Sequence, residues 1–223
     1  SILTMNTGAE AVETAIKAAR RWGYFSKGIP EDKAEIIVAN GNFHGRTTTI
    51  VSFSSDASYK DGFGPFTPGF NSAEYCGSCD CQSIDSCLSI ESFEKKINKN
   101  TCAILVEPIQ GEAGIRVPTD GWLKQLRALC TSRNILLILD EIQSGLGRTG
   151  KLFAYEHENI KPDGLILGKA LGGAILPISA FLSSKEIMNH FNPGSHGSTF
   201  GGNPLASKLS LIHISEPTRQ WQI

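Results

Sequence analysis

Two short apolar runs, each ending in an ionisable residue, constrain the fold of this chain more than any other feature. Residues 135–139 lead into Asp140-Glu141-Ile142-Gln143, and after a glycine-rich stretch Leu165-Ile166-Leu167 leads into Gly168-Lys169. Unbroken apolar runs of this length fit strands buried on both faces, as in a parallel sheet covered by helices. An open sheet of that kind places its ligand crevice at the carboxyl ends of its strands. The pattern therefore predicts a single pocket that holds both an acid and a lysine.

The remaining sequence supplies the rest of such a sheet. Ile36-Ile37-Val38-Ala39 reads as a buried strand, residues 102–106 as another ending in Glu107-Pro108, and residues 178–182 as a third. After Thr7-Gly8-Ala9-Glu10, helical spacing of Val12, Ala15, Ile16 and Ala19 predicts a helix, with Glu13 and Lys17 paired four apart on another face. Ile90, Phe93 and Ile97 mark a further helix. Trp122, Leu123, Leu126, Leu129 and Cys130 mark one between two strands, which implies a parallel crossover. The Gly- and Pro-rich residues 62–70 are expected to form an extended loop that packs its aromatics, and residues 194–203 a loop dense in Gly, Ser and Thr. The expectation is an α/β fold with a mostly parallel central sheet flanked by helices, formed as one domain over residues 1–208.

Composition narrows the partners. A chain of 223 residues with 40% hydrophobic content buries a core, and a net charge of -1 without a Lys/Arg block argues against nucleic acid or an anionic membrane as the main partner. No apolar run reaches the length of a membrane-spanning helix, and Ser1-Ile2-Leu3-Thr4 has neither an initiating Met nor a signal-peptide pattern. Any transit segment is expected upstream of Ser1, leaving the mitochondrial matrix or the cytoplasm as the compartment. Residues 209–219 resemble, letter for letter, the translation of a transposase adaptor used in preparing sequencing libraries, so residues 209–223 are expected to be a non-native tail. Cys102 and Cys130 fall in core positions. Cys76, Cys79, Cys81 and Cys87 are spaced C-x2-C-x-C-x5-C, open to a zinc site, a redox pair or a reduced surface insertion, the last being the reading carried forward.

One motif points the wrong way. Gly145-Leu146-Gly147-Arg148-Thr149-Gly150 matches the G-x-G-x-x-G dinucleotide fingerprint, yet four residues separate it from Asp140 and no helical pattern follows. Chemistry that needs a lysine and a carboxylate in one crevice, with a helix amino terminus to hold phosphate, is that of pyridoxal 5'-phosphate. Its aldehyde forms a Schiff base with lysine, and its ring nitrogen stays protonated opposite an acid.

Six motifs in order then show a family resemblance. Thr7-Gly8-Ala9-Glu10-Ala11, Phe43-His44-Gly45-Arg46-Thr47, Glu107-Pro108-Ile109-Gln110-Gly111-Glu112, Asp140-Glu141-Ile142-Gln143, Gly168-Lys169-Ala170-Leu171 and residues 197–204 resemble the motif series of the class III, pyridoxal-phosphate-dependent aminotransferases. The likeness runs from about Met5 to Ser207. Residues 61–66 and 193–197 bring it nearest to the ornithine aminotransferases, although His44 stands where those often carry Trp. The resemblance implies the fold-type I large domain, with a small carboxyl-terminal domain beyond this chain.

It also implies roles for individual residues. Lys169 would hold the cofactor covalently and move the proton at the substrate carbon. Asp140 would pair with the ring nitrogen, Gln143 with the ring hydroxyl, and Phe43, next to His44, would stack on the ring. Gly8 and Ala9 would bind the phosphate, and Ser198 and Thr199 would reach the phosphate of a neighbouring subunit, which implies a homodimer with shared sites. Arg46 would hold a substrate carboxylate, and Glu112 would act as a gate paired with an arginine outside this chain. No metal ligand is implied. The implied reaction moves the δ-amino group of L-ornithine to 2-oxoglutarate, giving glutamate-5-semialdehyde and L-glutamate. The alternatives are an acetylornithine or 4-aminobutyrate aminotransferase and, from another class, a non-catalytic metal-binding or redox-responsive protein using the 76–87 cysteines.

Overall fold

Each apolar run forms a strand whose alternate side chains enter two different cores. The computed structural model describes residues 1–77, 84 and 87–215. Its strands are β1 (Ile2–Met5), β2 (Glu35–Ala39), β3 (Phe70–Ala73), β4 (Thr101–Val106), β5 (Leu136–Asp140), β6 (Gly164–Leu167) and β7 (Ser179–Ser183). They make one seven-stranded sheet in the order β1-β7-β6-β5-β4-β2-β3. The strands from β3 through β2, β4 and β5 to β6 run parallel, β7 is antiparallel to β6, and β1 is antiparallel to β7.

One face of the sheet, carrying Ile36, Val38, Leu105, Ile138 and Ile166, packs on α1 (Gly8–Phe25) through Val12, Ala15, Ile16 and Ala19. The other, carrying Ile37, Ile104, Val106, Leu137 and Leu139, packs on α3 (Ser89–Lys96) and α4 (Trp122–Ser132). The period-two alternation of strands and the 3.6-residue period of helices bring these stripes together. Shorter helices α2 (Thr48–Ser52) and α5 (Lys185–Met188) complete the first layer, and α6 (Pro204–Ser215) ends the described chain, running through the junction between Lys208 and Leu209.

Some local expectations fail for identifiable reasons. Glu13 and Lys17 do not pair: Glu13 accepts a hydrogen bond from the Thr47 hydroxyl, and Lys17 Nζ lies 2.8 Å from His196 Nδ1. Tertiary partners displace a helix-surface pair whose strength is only a few tenths of a kcal/mol. The aromatics of residues 62–70 do not pack together. Phe63 and Phe66 are exposed, whereas Phe70 opens β3 with its ring 4.5 Å from that of Phe53. β1 carried no periodic signal because it is a four-residue edge strand, defined by its pairing with β7.

Cys102 and Cys130 are buried in the two cores, and burial pushes both thiols up to about 12. Cys76 and Cys87 are buried as well, while Cys79 and Cys81 lie outside the described residues. Among the described residues there is no group of three or more His, Cys, Asp or Glu placed to hold a metal ion. No described helix is long and apolar enough to cross a membrane.

Candidate active site

Asp140 ends β5 and Lys169 follows β6, the neighbouring parallel strand, so both emerge at the carboxyl edge of the sheet. Asp140 is only 4% exposed. Its carboxylate accepts from the Ile142 N–H at 3.0 Å and from His44 Nδ1 at 2.6 Å, which leaves it fixed in direction. Lys169 occupies the left-handed region at φ 43, an uncommon backbone state for a residue with a side chain, and its ammonium donates to Gln143 Oε1 at 3.0 Å. Gln143 fits there because residue 111 is glycine. A Cβ at Gly111 would overlap the Gln143 carboxamide, standing 2.6 Å from its Nε2.

Helix α1 points its amino end at the same place. Thr7 caps it, accepting from Glu10 N–H, and the Glu10 carboxylate returns to the Thr7 N–H. Thr7 and Glu10, each accepting from the other's backbone N–H, form a capping box. The N–H groups of Gly8 and Ala9 at the first turn have no intrahelical partner, and they lie at the positive end of an 18-residue helix.

Gly8, Ala9, Phe43, His44, Gly45, Glu107, Asp140, Ile142, Gln143 and Lys169 line one cavity of about 210 Å³. A larger cavity of about 1080 Å³ opens at the opposite end of the sheet, among Trp22, Arg127, Tyr155 and Asp163. It lacks any lysine–acid pair at a strand's carboxyl end, so the smaller cavity is the candidate site. Seven sequence-derived residues thus converge: Gly8, Ala9, Phe43, His44, Asp140, Gln143 and Lys169. Glu112 stands at the rim with Oε1 4.0 Å from Lys169 Nζ. Arg46 is exposed, with its guanidinium 4.4 Å from the centre of the Tyr59 ring and 5.9 Å from that of Phe43. Ser198 and Thr199 do not line the cavity. Ser198 Oγ accepts from Asn6 Nδ2 at 2.9 Å, just ahead of α1, and Thr199 is exposed.

Two buried acids had no role assigned from the sequence. Glu107, 5% exposed at the end of β4, accepts from the Phe43 N–H at 3.1 Å. Burial pushes its carboxyl up to about 7, a rise that His44 opposes and Asp140 reinforces. His44 is fully buried. Burial alone pulls its imidazole down, but the hydrogen bond and charge of Asp140, with the charge of Glu107, carry it above its ordinary value. Glu141 accepts from the N–H groups of Ala154 and Tyr155 at 2.8 and 3.0 Å and from Ser144 Oγ at 3.1 Å, and so ties the glycine-rich 145–150 loop to the end of β5. That loop is a connection rather than a nucleotide cradle. The signal for Glu107 was present in the sequence, since it ends an apolar strand as Asp140 does.

A seven-stranded, mostly parallel sheet with a lysine and an acid at adjacent strand ends is the architecture of the fold-type I transferases. The chain belongs to the class-III aminotransferases, whose family model, Aminotransferase class-III, matches residues 1–219. It is 57% identical over 212 residues to ornithine aminotransferase 2 of Staphylococcus aureus (strain MRSA252), covering 95% of this chain and 50% of that protein. A structure of the ornithine aminotransferase from Toxoplasma gondii, with partial occupancy of PLP at its active site, shares 47% identity at a TM-score of 0.88, over 96% of this chain and 47% of that one. The acetylornithine aminotransferase from Elizabethkingia anophelis is 51% identical with a TM-score of 0.78, over 96% and 49%. The chain spans about half the length of the relatives it matches.

Proposed function

We propose that this chain is the cofactor-binding part of a pyridoxal-phosphate-dependent aminotransferase that moves the δ-amino group of L-ornithine to 2-oxoglutarate, yielding glutamate-5-semialdehyde and L-glutamate. The observation that carries the reading is the convergence of Lys169, Asp140, Gln143, Phe43 and the α1 amino terminus on one cavity. The donor set fits the cofactor: an amine, a carboxylate held in one direction, an amide, an aromatic face and uncapped helix N–H groups for a phosphate.

The chemistry supplied by the bound cofactor is reversible capture of amines and delocalisation of the electron pair left when a C–H proton is removed. Lys169 Nζ, steered by Gln143, holds the cofactor and then takes and returns the proton on the carbon that bears the amino group. Asp140, with two of its acceptor positions already engaged, keeps a proton on the ring nitrogen. Phe43 covers one ring face, and Gly8 and Ala9 donate to the phosphate. Arg46 would hold a substrate carboxylate, and Glu112, with Oε1 4.0 Å from Lys169 Nζ, would act as the gate. Ser198 and Thr199, outside the cavity of their own chain, serve the second site of a homodimer. Of the compartments expected, the staphylococcal relatives favour the cytoplasm and lend no support to the mitochondrial matrix.

A second reading, N-acetylornithine as donor, is favoured by the 51% identity to the acetylornithine enzyme. Initial rates with L-ornithine, N-acetylornithine and 4-aminobutyrate against 2-oxoglutarate separate these readings. Ornithine is expected to be the fastest donor, and a faster rate with N-acetylornithine would reverse the assignment.

A further inference from the structure

Three ionisable side chains meet at the closed end of the cavity, and the reading above uses only one of them directly. Asp140 accepts from His44 Nδ1 at 2.6 Å. His44 has a fully buried side chain, and its Nε2 is buried without a hydrogen-bond partner among the described residues. Glu107 directly follows β4, the strand that pairs with β5 in parallel, so its carboxyl arrives at the same edge of the sheet as Asp140. Its Oε2 accepts from the Phe43 N–H at 3.1 Å. That bond fixes the backbone from which both the Phe43 ring and the His44 imidazole project.

Glu107 is itself held from behind. The Tyr75 hydroxyl donates to the carbonyls of Glu107 and Pro108 at 3.2 and 2.9 Å, and the Tyr75 ring meets that of Trp122 edge-on, with centroids 4.8 Å apart. Around His44 stand Asp140 from β5, the charge of Glu107 from beyond the end of β4, and the apolar Phe53 ring at 6.0 Å. Glu107 feels the charges of His44 and Asp140, and Tyr75 those of Glu107 and Cys76. At this burial a hydrogen-bonded imidazole and its two acids influence one another's charge strongly.

Resting on the cofactor reading above, we infer that Glu107 is a positioning residue for Asp140 that acts through His44: it anchors the Phe43–His44 backbone, from which His44 reaches Asp140, and brings a second carboxyl to the same edge of the sheet. Asp140 then meets the ring nitrogen with its direction set from behind. The role differs from that of Asp140, because Glu107 reaches the ring only by way of His44.

The test follows the His44 ring nitrogens by NMR as pH is varied, in the chain without added cofactor and in Glu107→Gln. The His44 midpoint should fall by about one pH unit or more in the variant, with the rest of the spectrum retained. An unchanged midpoint overturns the inference. Glu107→Asp serves if the glutamine variant does not fold: it keeps the charge, so the midpoint should stay within a few tenths of a unit of the native one, and a fall of about a unit or more would count against the role. Pyridoxal phosphate affinity supplies the second arm. Glu107→Gln should weaken binding several-fold in the native background yet add nothing in a His44→Asn background; multiplicative losses would overturn action through His44. A native chain that binds no pyridoxal phosphate would sink the cofactor reading, while the cofactor-free titration would still report on Glu107.

Discussion

Replacing Glu107 with glutamine should change not only the stability of the chain but its dependence on pH. The carboxyl is 5% exposed, and burial, against His44 and with Asp140, pushes it from an ordinary 4.5 up to about 7. The folded chain therefore keeps a proton that the unfolded chain releases near pH 4.5. Such a group contributes its stability fully below the unfolded value, and the contribution is lost as pH rises through about 7. At ~1.4 kcal/mol per unit the rise corresponds to roughly 3 kcal/mol, a large part of the ~5–15 kcal/mol that holds an ordinary domain together. Glutamine keeps an oxygen for the Phe43 N–H but does not titrate. Urea unfolding of both proteins between about pH 4.5 and about pH 8 should show the native chain losing roughly 3 kcal/mol relative to the variant as pH rises. Two curves separated by a constant offset would refute the argument.

Two further substitutions probe the supports of the site. Glu141→Ala leaves the Ala154 and Tyr155 N–H groups without their carboxylate, and should cost about 2–5 kcal/mol in thermal or urea unfolding; a loss below about 1 kcal/mol would mean that water replaces it. Gly111→Ala drives a methyl group into the Gln143 carboxamide and separates it from Lys169 Nζ. It should weaken pyridoxal phosphate binding while changing stability by no more than about 1 kcal/mol, and an unchanged dissociation constant would exclude the steric account.

The centre of the site was legible because strand ends can be read from one sequence. Asp140 and Lys169 each follow an apolar run, and parallel pairing of β5 with β6 delivers them to one edge. Glu141 was harder to place. Consecutive residues leaving a strand point to opposite sides, so Asp140 meets the cavity while Glu141 meets the backbone at residues 154 and 155, partners that only the tertiary fold supplies. His44 was expected beside the cofactor ring; its hydrogen bond to Asp140 depends on a contact between residues 96 apart in sequence. Likewise Phe63 and Phe66 carried an apolar signal that the described chain leaves exposed, because composition gives no partner surface. The glycine-rich 145–150 stretch shows the reverse: a motif match without its strand-turn-helix context is only a loop.

The central claim is that Lys169 is the amine that holds the cofactor. Reducing the chain with borohydride in the presence of pyridoxal phosphate, then mapping pyridoxyl-lysine by peptide mass spectrometry, tests it directly. Stoichiometric labelling of Lys169 is expected, lost in Lys169→Ala with no other lysine labelled in its place. Labelling spread over surface lysines, or retained in the variant, would contradict it.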